Sequence, residues 1–289
     1  MNLKNINQNF TQKFPGDFSE NTMQRQTPEV LFCFIKPALF DNTKLIDFNE
    51  NLSVEIGLGA LENDKDFLVA QNLPSNVRTY ATAYAGHQFG NWAGQLGDGR
   101  AIYAGEIFSN GKQIEIQWKG AGATPYSRHA DGRAVLRSSI REYLMSEAMF
   151  HLGIPTTRAL SITKTGEDVV RDMQYSGNPQ KEQGAVVVRT AESFLRFGHF
   201  ELLSARNQPA LLKQLADYTI ENFYPEVNSE KNHNKYLDWF QAVCDRTLKM
   251  IIHWYRVGFV HGVMNTDNMS ILGLTIDYGP FSMMDGYDL

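Results

Sequence analysis

Near the end of the chain, His261-Gly262-Val263-Met264-Asn265-Thr266-Asp267-Asn268 is followed by Asp277-Tyr278-Gly279. Asn268 and Asp277 carry the hard oxygen donors that Mg²⁺ takes. With a short connection between them, they can converge on one ion and leave its other positions to phosphate oxygens. Asp267 adds a carboxylate that could accept a proton. Upstream, Gly97-Asp98-Gly99-Arg100 forms a glycine-bearing turn whose backbone can approach a phosphate without a Cβ clash. Lys119 ends the alternating segment QIEIQWK, and Glu142 lies on the following helical segment, off its apolar stripe. A strand Lys steered by a helix Glu is a device for gripping phosphates.

Each of these residues has an ordinary alternative. Gly97 to Arg100 suits a plain β-turn, Lys119 a solvated strand end, and Glu142, beside Arg141, a charged helix face. Asp267 and Asp277 could cap turns. No G-K-[ST] follows the glycines, and no strand–GxGxxG–helix order is present. Their order is more specific than any one of them. Against the kinase pattern H-R-D-x-x-x-x-N and D-F-G, His261 and Asn268 fall in register and Asp277-Tyr278-Gly279 stands for D-F-G. Val263 then occupies the place of the catalytic Asp, which leaves Asp267 as the nearby substitute. Arg100, Arg128, Arg133, Arg137, Arg189 and Arg196 are expected around the same cleft. Arg recognises phosphate through paired donors, so this set suggests a triphosphate held in an unusual way; the plainer alternative is surface charges paired with the 32 acids.

The elements that must position these groups follow from periodicity. Alternation predicts strands at 101–107 and 113–119, joined through Ser109-Asn110-Gly111. A helix follows, with Ser138 or Ser139 as N-cap, an apolar stripe of Ile140, Leu144, Ala148, Met145, Met149 and Leu152, and an end at Gly153 and Pro155. Short β-branched runs predict strands at 159–163 and 185–189, and helical spacing returns at 211–223 and 236–255. Residues 1–50 are expected as an N-terminal arm, 51–190 as a β-rich nucleotide-binding lobe, and 191–289 as the start of a helical lobe with the catalytic and metal loops. The fold class is α+β with two lobes.

The chain has 289 residues, a net charge of −5 and a pI near 5.8, with 43% hydrophobic and 20% charged residues. At about 150 residues per domain this length corresponds to two domains or lobes. The acidic balance argues against a general nucleic-acid binder. The apolar run from Met250 to Val260 is broken by His253 and Arg256, so no membrane span is expected. Met1 to Phe14 is Asn-rich without an apolar core, unlike a secretory signal. Two cysteines, Cys33 and Cys244, fit a reducing, cytoplasmic setting.

The segments YAGHQFGNWAGQLGDGRA, QWKGAGATPYSRHADGRAVLRSSIREYL, RTAESFLRFGHFE and GFVHGVMNTDNMSILGLTIDYGPFSMMD closely resemble the selenoprotein O family. The resemblance runs from about Phe32 to the last residue. It implies a protein-kinase-like (pseudokinase) fold and transfer of AMP, from ATP bound in a flipped orientation, to a Ser, Thr or Tyr hydroxyl of a protein. Pyrophosphate leaves, self-modification is expected, the metal is Mg²⁺ or Mn²⁺, and some bacterial members use UTP. By motif, the nucleotide contacts are Gly97, Gly99, Arg100, Lys119, Asp131, Gly132, Arg189, Arg196 and Asp277. Glu142 orients Lys119, Asn268 and Asp277 hold the metal, and Asp267 accepts the proton. The family implies a bacterial, cytoplasmic protein that continues into a further helical region and often a C-terminal redox residue. A chain stopping at Asp288-Leu289 is therefore expected to be C-terminally truncated, with Trp239, Phe240, Ile251, Trp254 and Tyr255 exposed. A phosphotransferase and an inactive nucleotide-binding remnant are the alternatives.

Overall fold

The computed structural model describes residues 5–173, 176–227 and 234–286. In chain order the elements are α1 (Asn9–Lys13), β1 (Gly16–Asp17), β2 (Phe32–Phe34), β3 (Lys44–Phe48), α2 (Glu50–Glu55), β4 (Tyr80–Thr82), β5 (Ala85–Gln88), β6 (Asn91–Gln95), β7 (Ala101–Ser109) and β8 (Lys112–Lys119). They continue with β9 (Ala134–Val135), α3 (Leu136–His151), β10 (Arg158–Arg171), β11 (Gln180–Ala191), α4 (Phe197–Ala205), α5 (Pro209–Phe223), α6 (Lys235–Arg256), β12 (Phe259–Val260) and β13 (Ser282–Met283). The result is an α+β protein built on a nine-stranded mixed sheet of order β1-β2-β4-β7-β8-β11-β10-β3, with β9 on β11. Only the β1–β2 pair is parallel among the described pairings of that sheet.

The strands around the site stand where expected, but they are longer, and β8 buries its polar face as well as its apolar one. β10 and β11 form a long hairpin with two register shifts, which carries β10 past the expected 159–163 as far as Arg171. The first 50 residues are not an arm laid over a core. Phe32, Cys33 and Phe34 are all buried in β2, and β1, β2 and β3 belong to the main sheet. An apolar run of that kind loses less by joining a sheet than by staying in water.

Helix α3 corrects the predicted stripe. Ser138 and Ser139, expected at the N-cap, lie inside the helix, which starts at Leu136. Its buried face carries Ser139, Glu142, Tyr143, Ser146 and Met149, whereas Leu144 is 61% exposed. The polar face turns inward because Lys119 and Arg189 on the sheet offer Glu142 two cations. α6 also differs from expectation. Trp254 is buried against Phe259 and His261, and Trp239 packs on Phe200 and Tyr224. Leu237, Phe240, Leu248, Ile252 and Tyr255 make up the exposed apolar side of this helix. The Asp288-Leu289 end lies outside the described residues.

Two apolar clusters fix the site's framework. One packs Trp118, Ile102, Ile116, Val186 and Val188 of the sheet against Phe67, Leu68 and Leu52. The other joins Phe10, Phe32 and Tyr80 to Leu215, Phe223 and Val243 of the helices. Full burial of one such side chain contributes roughly 1.5–3 kcal/mol, so the framework holds its shape when charged groups are gathered between the sheet and the helices.

Candidate active site

A cleft of about 340 Å³ opens where the Gly97 turn, the end of β8, the start of α4 and the loop before β13 meet. Gly97, Gly99, Arg100, Lys119 and Gly132 line it, as do Arg189, Arg196, Asp267, Asn268 and Asp277. Glu142 stands behind Lys119, its Oε2 2.6 Å from Nζ. Asp131 is not among the lining residues. It is exposed and accepts two hydrogen bonds from Arg171, which does line the cleft. Arg128 and Arg133 also line it, but Arg137 instead pairs with Glu182 on the surface.

The glycines of the first turn are required by packing. Gly97 has φ +133°, and a Cβ there would stand 2.5 Å from the Tyr126 ring. A Cβ on Gly99 would meet the Tyr126 carbonyl oxygen at 2.8 Å. Asp98, between them, points inward and is buried. Its Oδ2 accepts from the Thr82 backbone N–H at 3.0 Å and from the Thr82 hydroxyl, and its Oδ1 lies 3.7 Å from Arg196 Nη2. His199 closes this network, with Nδ1 accepting from the Arg196 N–H at 3.0 Å and Nε2 facing the Thr82 hydroxyl at 3.1 Å. Burial and then Arg196 push His199 down to about 3, so it is a neutral spacer. Asp98 and His199 went unseen in the sequence; the one signal was an acid set between two glycines.

Lys119, Glu142, Arg189 and Asp277 form one charge group. Lys119 Nζ is also 3.7 Å from Asp277 Oδ1, and Arg189 Nε is 3.2 Å from Glu142 Oε1. Burial pushes the Glu142 carboxyl up, but Lys119 and Arg189 outweigh it and hold it below the usual range. Asp277 behaves alike: burial is outweighed by Lys119, Arg196 and Arg189, and the carboxyl sits low. Burial lowers Lys119, with Glu142 opposing. Breaking such a pair leaves an uncompensated buried charge.

The loop that carries Asp267 is anchored from below. His261 stacks on Trp254 with ring centroids 5.3 Å apart, and its Nδ1 accepts from the Val263 N–H. Arg196 Nη1 donates to the Asp267 carbonyl oxygen at 2.6 Å, and the Gly198 N–H donates to the Thr266 carbonyl oxygen. Tyr278 packs on Phe259 and Phe281, which fixes the turn after Asp277.

No group of three or more His, Cys, Asp or Glu suited to a metal occurs among the described residues. The donors present nevertheless fit Mg²⁺ or Mn²⁺. Asn268 and Asp277, both lining the cleft, offer an amide oxygen and a carboxylate, and such ions bind through one or two protein groups with phosphates and water completing the shell.

Six arginines and a lysine line this cleft together with Asn268 and Asp277, a set of charges whose chemistry suits a polyphosphate. The sequence profile described as protein adenylyltransferase SelO matches residues 17–289, and the chain belongs to that family. Three curated relatives are called protein nucleotidyltransferase YdiU. That of Cytophaga hutchinsonii is 53% identical over 100% of this chain and 56% of its own length. That of Flavobacterium johnsoniae is 52% identical over 99% and 55%, and that of Xanthomonas euvesicatoria 54% identical over 96% and 54%. The chain thus spans about half the length of these relatives. No described helix is long and apolar enough to cross a membrane.

Proposed function

We propose that this chain carries the nucleotide site of a protein adenylyltransferase with a kinase-like arrangement: a β-rich nucleotide-gripping lobe (51–190) joined by the strands of residues 1–50, and a helical part from 191 that carries the catalytic and metal loops. ATP, or UTP, is the donor, and a Ser, Thr or Tyr hydroxyl of a protein, this chain included, is the acceptor. The observation that carries this reading is the place of Asp267. It lines the arginine-rich cleft beside Asn268, while Val263 stands where a kinase has its catalytic carboxylate.

Lys119, steered by Glu142, and the surrounding arginines hold the triphosphate and neutralise its charge. Asn268 and Asp277 would hold Mg²⁺ or Mn²⁺, which when bound offsets negative charge on the phosphates. Asp267 takes the proton of the acceptor hydroxyl as its oxygen forms a bond to the α-phosphorus. The α–β phosphoanhydride bond breaks and pyrophosphate leaves. The Gly97 turn keeps backbone close to the phosphates, and Gly132, which also lines the cleft, does the same.

Two labels test the reading. Incubation with Mg²⁺ and ATP labelled at the α-phosphorus is expected to label protein, whereas γ-label is not transferred. UTP and Mn²⁺ form parallel arms. Label arriving from the γ-position would make the enzyme a phosphotransferase.

A further inference from the structure

Hairpin β5–β6 leaves the main sheet as a separate two-stranded unit and lies across the loop that bears Asp267. Three consecutive residues of its first strand and turn hold three consecutive residues of that loop. The His87 N–H donates to Thr266 Oγ1 at 2.9 Å, Gln88 Nε2 to Asp267 Oδ2 at 2.9 Å, and the Phe89 N–H to Asn265 Oδ1 at 3.2 Å. Thr266 Oγ1 in turn donates to Glu201 Oε2, and His87 Nδ1 faces Glu201 Oε1 at 2.9 Å, so α4 shares the contact.

Two glycines make the approach possible. A Cβ on Gly198 would lie 2.0 Å from the Ala85 carbonyl oxygen, and one on Gly86 would lie 2.6 Å from Asp267 Oδ1. Both carboxylate oxygens of Asp267 are therefore placed by the hairpin: Oδ1 rests on the bare backbone of Gly86, and Oδ2 accepts from Gln88. Arg196 fixes only the main chain of that residue. Without Gln88, nothing among the described hydrogen bonds sets the rotation of the carboxylate.

We propose that hairpin β5–β6 is a clamp on the catalytic loop and that Gln88 is a positioning residue that fixes the Asp267 carboxylate for proton transfer. The role of Gln88 rests on the reading of Asp267 as the proton acceptor; the clamp does not. A carboxylate free to rotate loses alignment with the incoming hydroxyl, whereas the nucleotide contacts on the other walls of the cleft are untouched.

Gln88→Met keeps length and bulk and removes the donor. At saturating ATP, self-labelling from α-labelled ATP is expected to slow roughly ten- to a hundredfold, as for loss of a hydrogen bond to a charged group, with nucleotide affinity within about twofold of wild type. In an Asp267→Ala background, Gln88→Met is expected to cause no further loss, because the group it positions is gone. Wild-type labelling rates in Gln88→Met, or a full additional loss in the double variant, would overturn the positioning role. Amide hydrogen exchange of the intact protein gives a readout independent of transfer. Residues 261–268 are expected to exchange faster in Gln88→Met than in wild type, while α5 is unchanged; equal exchange would overturn the clamp. A wild type that transfers no AMP, with the exchange difference intact, would refute the transferase reading and Gln88's role in it and leave the clamp standing.

Discussion

Glu142 is shared by two cations: its Oε2 lies 2.6 Å from Lys119 Nζ and its Oε1 3.2 Å from Arg189 Nε. Glu142→Ala would leave both cations buried without that partner. It should destabilise the fold by about 3–5 kcal/mol in urea unfolding. Lys119→Met leaves Glu142 with Arg189 and should cost less stability while weakening nucleotide binding. The two variants thus separate holding the fold from holding the ligand.

Two carboxyls are buried opposite each other on the paired strands β7 and β8. Glu106 and Glu115 are 0% and 5% exposed, and burial raises them to about 7 and about 8. The folded state keeps these protons longer than the unfolded chain. Stability should fall as pH rises from about 4.5 through about 7 for Glu106 and through about 8 for Glu115, by about 3 kcal/mol for the first and about 5 kcal/mol for the second. Glu106→Gln and Glu115→Gln should each remove their share of that slope. Melting temperatures of wild type and variants across this pH range test it, and parallel curves would refute it.

Glycine substitutions should separate strain from collision. Gly90 has φ +80°, and a Cβ added there would meet nothing within 4 Å, so Gly90→Ala should cost about 1–2 kcal/mol from the backbone alone. Gly132 has φ +71°, and a Cβ there would stand 2.2 Å from the Gly122 carbonyl oxygen. Gly132→Ala should therefore lower the melting temperature much further and also weaken nucleotide binding, since that backbone lines the cleft.

Several side chains at the cleft were legible in the sequence because each has a chemistry that restricts its uses: a strand Lys, a helix Glu, an Asn and an Asp on adjoining turns. The strands of β7 and β8 were legible from alternation. What supports the cleft was not. Gln88, Gly86 and Asp98 act through contacts with residues distant in the chain, and no local period encodes them. The polar buried face of α3 defeats a hydrophobicity pattern for the same reason, since Glu142 is turned inward by charges on the sheet. β1 to β3 were hidden by a context that mixes Asn, Pro and Asp and so reads as an arm.

Asp131, named by motif, stands behind an arginine that lines the cleft. The family resemblance implies that it touches the nucleotide. In the structure it accepts from Arg171 Nη1 at 2.8 Å and Nη2 at 2.7 Å, and Arg171 is the one that lines the cleft. Arg171 lies on the part of β10 beyond its predicted end, so the sequence did not offer it. The pair also holds Asp131 below the usual carboxylate range, first through the hydrogen bonds from Arg171. If Asp131 acts by aiming Arg171, then Asp131→Ala and Arg171→Ala should each weaken nucleotide binding about three- to tenfold, and the double variant should bind no worse than the weaker single one. Titration of the four proteins with ATP closes the cycle. Losses that add in full would mean that Asp131 meets the nucleotide independently of Arg171.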